Sequence, residues 1–315
     1  MKKFLISFFV ALMILSLTGC RDKVLEETTA AVTAYNEAAD AYNTDIIAYN
    51  ETCDQIEQAV SNLDAAIDKA QAVINAGEDP YDPNTLVDLK SSISEAQSIK
   101  AAPPVPLQSQ NLLALDSEAT ISQLKEVLSI AEARLAEVNS LSIPSIPDIP
   151  DYSNNESVIN NCLSAYQDSI QSLKQVINPD QDFVIDRLQT IGTITEIEAV
   201  TEETDINGLL NKQRGYTSSI YFRDTLVDMD KVYVEEGLED LINIGTAAGG
   251  CIEVYANEDD AKNRDTYLSQ FDGTIFASGH YVVGTIIIRT SNALTGTQQL
   301  ELTEEIKKAF LKVVH

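Results

Sequence analysis

The sequence predicts a multidomain α+β chain: a long-helix or coiled-coil bundle at the N-terminal end, followed by a small α+β domain with a short sheet. Three observations predict it. Apolar residues recur every seven positions from Val32 to Ile74, a helical seam. Proline-spaced stretches near 102–116 and 142–150 separate further helical periodicities. From about Ile191 the texture changes to alternating and β-branched runs interleaved with helices. The domain bounds implied are 1–19, 20–190 and 191–315, and a chain of 315 residues has room for them.

The first segment has Lys2 and Lys3, then an apolar run from Phe4 to Leu17 broken only by Ser7 and Ser16. A spanning helix needs about 20 apolar residues, so this is the layout of a cleaved export signal. It closes on Leu17-Thr18-Gly19-Cys20, which resembles the lipobox of bacterial lipoproteins. The resemblance implies that the Cys20 thiol is diacylglycerylated and the peptide cut before it. Acyl chains, palmitate among them, then hold the mature chain on the outer face of the cell membrane, at a Gram-positive surface. Two or three such chains anchor stably where one is marginal. The alternative is an ordinary signal peptide with an incidental cysteine.

The helix after the anchor carries Val32, Ala39, Ile46, Cys53, Val60, Ile67 and Ile74 in one series. Tyr35, Tyr42, Tyr49, Ile56, Leu63 and Ala70 form the companion series. Together they are the a and d positions of a heptad with no Pro or Gly inside it. The triplet Ala-Tyr-Asn recurs at 34–36, 41–43 and 48–50, and its tyrosines read as seam residues with hydroxyls at the edge. Gly77 and Asp79-Pro80-Tyr81-Asp82-Pro83 end the helix. A second helix is expected over Thr85–Lys100, with Leu86, Leu89, Ile93 and Ala96 on one face. Pro103, Pro104 and Pro106 break it, and a third runs over Ser117–Asn139 with Ile121, Leu124, Leu128, Ala131, Leu135 and Val138. Three such stripes bury one another in a bundle.

Leu63-x-x-Ala66-Ile67-x-x-Ala70, Tyr81, Leu89-x-x-x-Ile93-x-x-Ala96 and Leu124-x-x-x-Leu128-x-x-Ala131-x-x-x-Leu135 resemble the FIVAR-type helical module of bacterial surface proteins. The similarity spans roughly 60–140 and departs from the family in the Pro-rich insertion. It implies a spacer or binding module rather than a catalytic unit. Ser142-Ile-Pro-Ser-Ile-Pro-Asp-Ile-Pro150 reads as a stiff extended connector, with a ligand for an aromatic groove as the alternative. Ser153-x-x-Glu156 reads as a capping box opening a helix through Ile159, Leu163, Tyr166, Ile170, Leu173 and Ile177. Asn178-Pro179 interrupts it before a short helix over Asp182–Gln189.

In the last domain, Tyr216–Phe222, Cys251–Tyr255 and Tyr281–Ile288 read as strands, the third as a central one. Helices are expected over roughly 235–244, 258–271 and 295–314, with Asn257 as a cap and Thr295-x-x-Gln298 as a capping box. Thr204-Asp-Ile-Asn-Gly-Leu-Leu-Asn-Lys212, Gly215-Tyr-Thr, Gly249-Gly-Cys-Ile-Glu-Val-Tyr255 and Asp260-Ala-x-x-Arg-Asp-x-Tyr-Leu268 resemble a module of secreted Gram-positive lipoproteins. Phe271-Asp-Gly-Thr274 and Gly279-His-Tyr-Val-Val-Gly284 do the same. The resemblance implies location and modularity and carries no activity with it.

Net charge is −28, and loss of Lys2 and Lys3 with the signal makes the mature chain more acidic still. Nucleic-acid binding needs Lys and Arg against phosphates, so that class is excluded. Besides Cys20 there are Cys53, Cys162 and Cys251 without C-x-x-C spacing, which supports neither a zinc site nor a redox motif. They read as small buried residues, with a Cys53–Cys162 bridge left open. The two histidines are His280 and His315, and no G-x-S-x-G or H-E-x-x-H occurs. Gly249-Gly250 reads as a tight turn rather than a phosphate loop.

Glu203, Asp205 and Asn207, followed by Gly208, imitate the first half of a calcium loop, but Arg214 stands where the closing Glu belongs. Calcium is thus the one cofactor the sequence suggests, with His280 and Arg289 as the candidate binding residues of the last domain. The expected role is binding or structural: adhesion, matrix or glycan contact, or assembly with another envelope protein, and not an enzyme. The competing classes are an envelope enzyme built around His280, Arg289 or the acidic 202–207 loop, and a subunit of a transport or secretion complex.

Overall fold

The computed structural model describes residues 2–274 and 277–314, with side chains from residue 19 onward. The signal reading rests on side chains of residues 1–18 and falls outside that description, as does His315. The chain is α+β, with eight α-helices and one five-stranded sheet among the described residues. Contacts divide it into two compact units: Met1–Asp68 with Glu95–Ser157, and Lys69–Ser94 with Val158–His315. Among the described residues no helix is long and apolar enough to cross a membrane.

In the first unit the heptad of α1 (Lys2–Asn75) dictates which side chains are covered. Val32, Tyr35, Ala39, Ile46, Tyr49, Cys53, Ile56, Val60, Leu63 and Ile67 are all buried, so tyrosine serves as a seam residue. Helix α3 (Ile121–Ser140) buries Leu124, Ala131 and Val138, and Val138 packs with Tyr35 and Ala39. Its start is Thr120, whose side chain caps the Gln123 amide while Gln123 answers on the Thr120 backbone. The reciprocal box therefore sits at Thr120-x-x-Gln123, and the turn before it keeps residues 117–120 out of the helix.

Between α2 (Asn84–Ile99) and α3 the Pro-rich stretch is a strap lying on α1. The asparagine of each Ala-Tyr-Asn triplet makes a two-point amide clamp on its main chain. The Asn50 side chain donates to the Leu107 carbonyl (2.9 Å) and accepts from the Leu107 amide (2.8 Å). Asn43 does the same to Gln110 (2.9 and 2.6 Å), and Asn36 to Leu113 (2.9 and 2.8 Å). Tyr35 adds a hydroxyl bond to the Asn111 carbonyl at 2.7 Å. Seven helical residues rise about 10.5 Å and three residues of polyproline-type chain about 9.3 Å, so the two repeats keep step over three clamps. Pro104, Leu107, Gln110 and Leu113 are half-buried while residues 105, 106, 108, 109, 111 and 112 are exposed, the mark of one edge of a three-residue turn.

α4 (Ser153–Lys174), which belongs to the second unit from Val158 on, leads through Val176 to α5 (Gln181–Leu188) and the sheet. Its helix start is held by Asp151, whose carboxylate accepts from the Ser153 amide at 2.9 Å, so Ser153 lies inside the helix rather than capping it. The strands are β1 (Ile194–Ala199), β2 (Tyr216–Asp224), β3 (Gly249–Tyr255), β4 (Gly279–Val283) and β5 (Ile286–Thr290). They are antiparallel throughout, in the order β1-β2-β3-β5-β4. One face packs Ile220, Phe222, Ile252, Val254 and Ile288 against α5 and α8 (Gly296–Leu311), through Val184, Leu188, Leu302, Ile306 and Phe310. The other face carries Tyr221, Cys251, Tyr255 and Ile287 beneath α7 (Glu258–Ser269) and the short α6 (Leu241–Ile244). Asn257 caps α7, and Thr295 with Gln298 forms the capping box of α8, as the sequence predicts.

Two further expectations change. The run Tyr281–Ile288 is a hairpin, not one strand, because Gly284 takes φ +56° and turns the chain between Val283 and Ile286. Thr285 fastens that turn: its amide donates to the Val176 carbonyl (3.0 Å) and its hydroxyl accepts from the Asn178 amide (2.6 Å). The helix expected over 235–244 shrinks to Leu241–Ile244, since Gly237 at φ +86° breaks the backbone before it. Cys53 and Cys251 are buried free thiols, as the sequence predicts, and Cys162 is a half-buried one, so the bridge left open does not form.

A Cβ at residue 284 would lie 2.4 Å from the Val176 carbonyl oxygen in addition to forcing a left-handed backbone. Gly284→Ala should lower unfolding stability by more than about 1 kcal/mol in a urea titration. An unchanged midpoint would mean the hairpin is not built this way.

Candidate functional site

The face of the sheet beneath α7 collects the polar chemistry of the second unit. Antiparallel partners project to the same side, and the register runs Tyr221 to Cys251, Cys251 to Arg289, and Arg289 to His280. The two residues nominated from the sequence, His280 and Arg289, are therefore cross-strand neighbours on β4 and β5. α7 supplies Arg264 and Asp265 above them.

At the centre lies Glu253, 1% exposed. Its Oε1 accepts from Arg264 Nη2 (2.8 Å) and Arg289 Nη1 (2.9 Å). Its Oε2 accepts from Arg264 Nε (2.8 Å) and the Tyr255 hydroxyl (2.8 Å). A carboxylate this deep is tolerable only when charge and lone pairs are matched so fully. Burial pushes the Glu253 carboxyl up, but the two guanidinium groups and Tyr255 outweigh it and hold it below the ordinary glutamate range. Burial also raises the Tyr255 hydroxyl, with Glu253 adding to the effect. Cys251, facing Ser219 at 3.3 Å, is pushed up to about 12 by burial and by Glu253. A thiol there stays protonated and is no nucleophile at neutral pH.

His280 stands at the rim of this cluster. Its Nδ1 lies 2.6 Å from Asp265 Oδ1 and its Nε2 3.3 Å from Asp272 Oδ1. Beside it opens a cavity of about 710 Å³ whose lining includes Asp272, Ser278, His280, Asn292 and Gln299. The lining offers hydroxyl, amide and carboxylate groups, the repertoire that orients a polar ligand.

The acidic stretch folds as a turn between β1 and β2. Asp205 accepts from the Tyr216 hydroxyl, from the Asn207 amide (3.2 Å) and from the Leu210 amide (2.7 Å). Burial pushes its carboxyl up, but Tyr216 and these amides outweigh that and hold it below the usual aspartate range. Glu203 is turned to solvent, lowered by its bond with Thr201. Asp205 is thus spent on holding the loop, and among the described residues no group of three or more His, Cys, Asp or Glu could hold a metal ion.

Glu253, Arg264, Asp265 and Asp272 complete the arrangement and are the residues the sequence does not single out. The available signal is Glu253 itself, a charge on the same side of a buried strand as Cys251 and Tyr255. No family model matches the chain, and comparison with curated proteins and with solved structures gives no match either.

Glu253→Gln leaves the half-buried guanidinium groups of Arg264 and Arg289 facing a neutral partner and should cost about 3 kcal/mol of unfolding stability at neutral pH. Because the folded carboxyl titrates below its ordinary value near 4.5, its contribution is complete above that value and is lost as pH falls through the folded one. Wild-type and variant urea midpoints should converge on acidification. A gap that persists in strong acid would contradict the clamp.

Proposed function

We propose that this chain is a lipid-anchored protein of a bacterial cell surface with a binding or structural role. Cys20 carries the lipid, residues 20–68 and 95–157 form a helical bundle with coiled-coil character, and residues 69–94 and 158–315 form an α+β binding domain. Its partners are a glycan, a matrix protein or another envelope protein. The observation that carries a binding role over catalysis is the state of the ionisable groups on the sheet face. Glu253 is saturated by Arg264, Arg289 and Tyr255, the Cys251 thiol is buried and protonated, and His280 is paired with Asp265 and Asp272. Nucleophilic catalysis needs a hydroxyl or thiol activated by its base, and His280 bonds two carboxylates instead. The polar cavity next to His280 needs no such group to hold a ligand.

The test is surface expression of wild type, Cys20→Ala and His280→Ala in a Gram-positive host fed labelled palmitate, with cells then applied to immobilised glycans and matrix proteins. Wild type should take up label and hold cells on at least one surface. Cys20→Ala should lose both, and His280→Ala should keep the label while losing at least half of the retention. Labelling that survives Cys20→Ala contradicts the anchor. Retention on no surface contradicts the binding role.

A further inference from the structure

The cavity beside His280 has part of its hydrogen-bonding capacity spent on the protein, and what is left over has one character. Asp272 turns Oδ1 toward His280 Nε2 at 3.3 Å, which leaves Oδ2. Gln299 gives its Nε2 to the Ser291 carbonyl at 2.7 Å, which leaves Oε1. Both remaining atoms are acceptors, each oriented by the bond that the other end of its group makes. Asp272 follows α7 and Gln299 lies on α8, so the two come to the cavity from opposite faces of the sheet. Ser278 and Asn292 line it as well, and their side chains bond to no group among the described residues. His280 offers no donor of its own, since Asp265 and Asp272 face both ring nitrogens. The Thr290 hydroxyl is fully buried and unpartnered. A Cβ on Gly279 would lie 2.2 Å from it and 3.5 Å from Gln299 Cβ, which puts it just behind this wall. An unanswered buried hydroxyl next to a polar cavity marks a place for a water or a ligand atom.

We propose that this cavity binds an uncharged carbohydrate, with sugar hydroxyls donating to Asp272 Oδ2 and Gln299 Oε1. The inference rests on the binding role proposed above and selects the glycan among its partners. Acceptors on two sides call for a ligand with several donors, which a sugar has and a carboxylate, phosphate or sulfate lacks. Among the described residues the lining holds no Lys or Arg to balance an anion, and a net charge of −28 repels one. A lone ammonium group is served by Asp272 and leaves Gln299, Asn292 and Ser278 unused. Hydroxyls use all four, because each gives one hydrogen and accepts another. Leu294, buried at the base, and the bare main chain of Gly273 and Gly279 supply the apolar surface against which the C–H face of a sugar ring rests. The volume, about 710 Å³, lies in the range of small-molecule sites.

The experiment titrates the full mature chain, bearing Cys20→Ala to keep it unacylated, with maltose, cellobiose and diacetylchitobiose, and separately with putrescine and inorganic phosphate. The readout at fixed pH is the imidazole resonances, because the chain has two histidines and His315→Gln assigns the one at the cavity. At least one disaccharide should shift the His280 resonances saturably at up to about 10 mM while His315 stays unmoved. Asp272→Ala and Gln299→Ala should each raise the dissociation constant about tenfold, with urea midpoints close to wild type. If either variant fails to fold, the wild-type titration decides: a saturable response at His280 alone supports the site, and its absence overturns it. A response to putrescine or phosphate but to no disaccharide overturns the proposal. So does disaccharide binding that both folded variants leave unchanged. Cells retained on a matrix protein, together with a silent His280, overturn the carbohydrate assignment and leave the binding role standing, so the two readings fail separately.

Discussion

The seven-residue repeat of α1 sets the geometry of the first unit by placing two kinds of side chain in parallel rows. The a and d positions, among them Val32, Tyr35, Ala39 and Ile46, are covered by packing. The flanking row of Asn36, Asn43 and Asn50 meets the strap. A polar residue beside a seam normally faces water, so three asparagines one heptad apart, each spending both amide atoms on main chain, are a designed surface. The strap in turn could follow a β-like or a helical path only by losing register, since neither offers a suitable carbonyl and amide every 9 to 10.5 Å or so. Matching of the two repeats is what turns a proline-rich linker into an ordered layer.

The second unit depends on a different constraint, the neutralisation of one buried carboxylate. Buried ion pairs contribute little net stability compared with apolar packing, yet removing one partner is costly. Glu253 therefore fixes how α7 seats on the sheet, because Arg264 must reach it from the helix while Arg289 reaches it from β5. His280 and its two aspartates form a second bonded group beside it, at the rim of the cavity. His280 and Asp272, which bond each other, both belong to the wall of that cavity.

Much of the helical half was legible because its signals are local. The heptad predicted burial at a and d, and the caps at Asn257 and Thr295 sit where side-chain chemistry places them. The α8 start was legible and the α3 start was not, because Ser117 and Thr120 compete as caps and only packing decides between them. The hairpin over 279–290 was hidden because β-branched residues run through it and a lone Gly-Thr turn is fastened by Val176 and Asn178, more than a hundred residues away. The strand Ile194–Ala199 was missed for its two glutamates, one exposed and one half-buried, which blur the apolar alternation. At the site, scarcity pointed to His280, but its pairing with Arg289 exists only once the hairpin is known. Glu253 could not be told from 48 other acidic residues before its two arginines were in place. The Ala-Tyr-Asn triplets were visible, yet their partners lie 57 to 77 residues downstream in a stretch with no secondary structure of its own.

Residue-resolved amide hydrogen exchange over 105–115 tests the repeat match most directly. The account predicts slow exchange at Leu107, Gln110 and Leu113 and fast exchange at Gln108, Ser109, Asn111 and Leu112, a protection pattern with a period of three residues. Uniformly fast exchange across the segment, or protection with any other period, would contradict it.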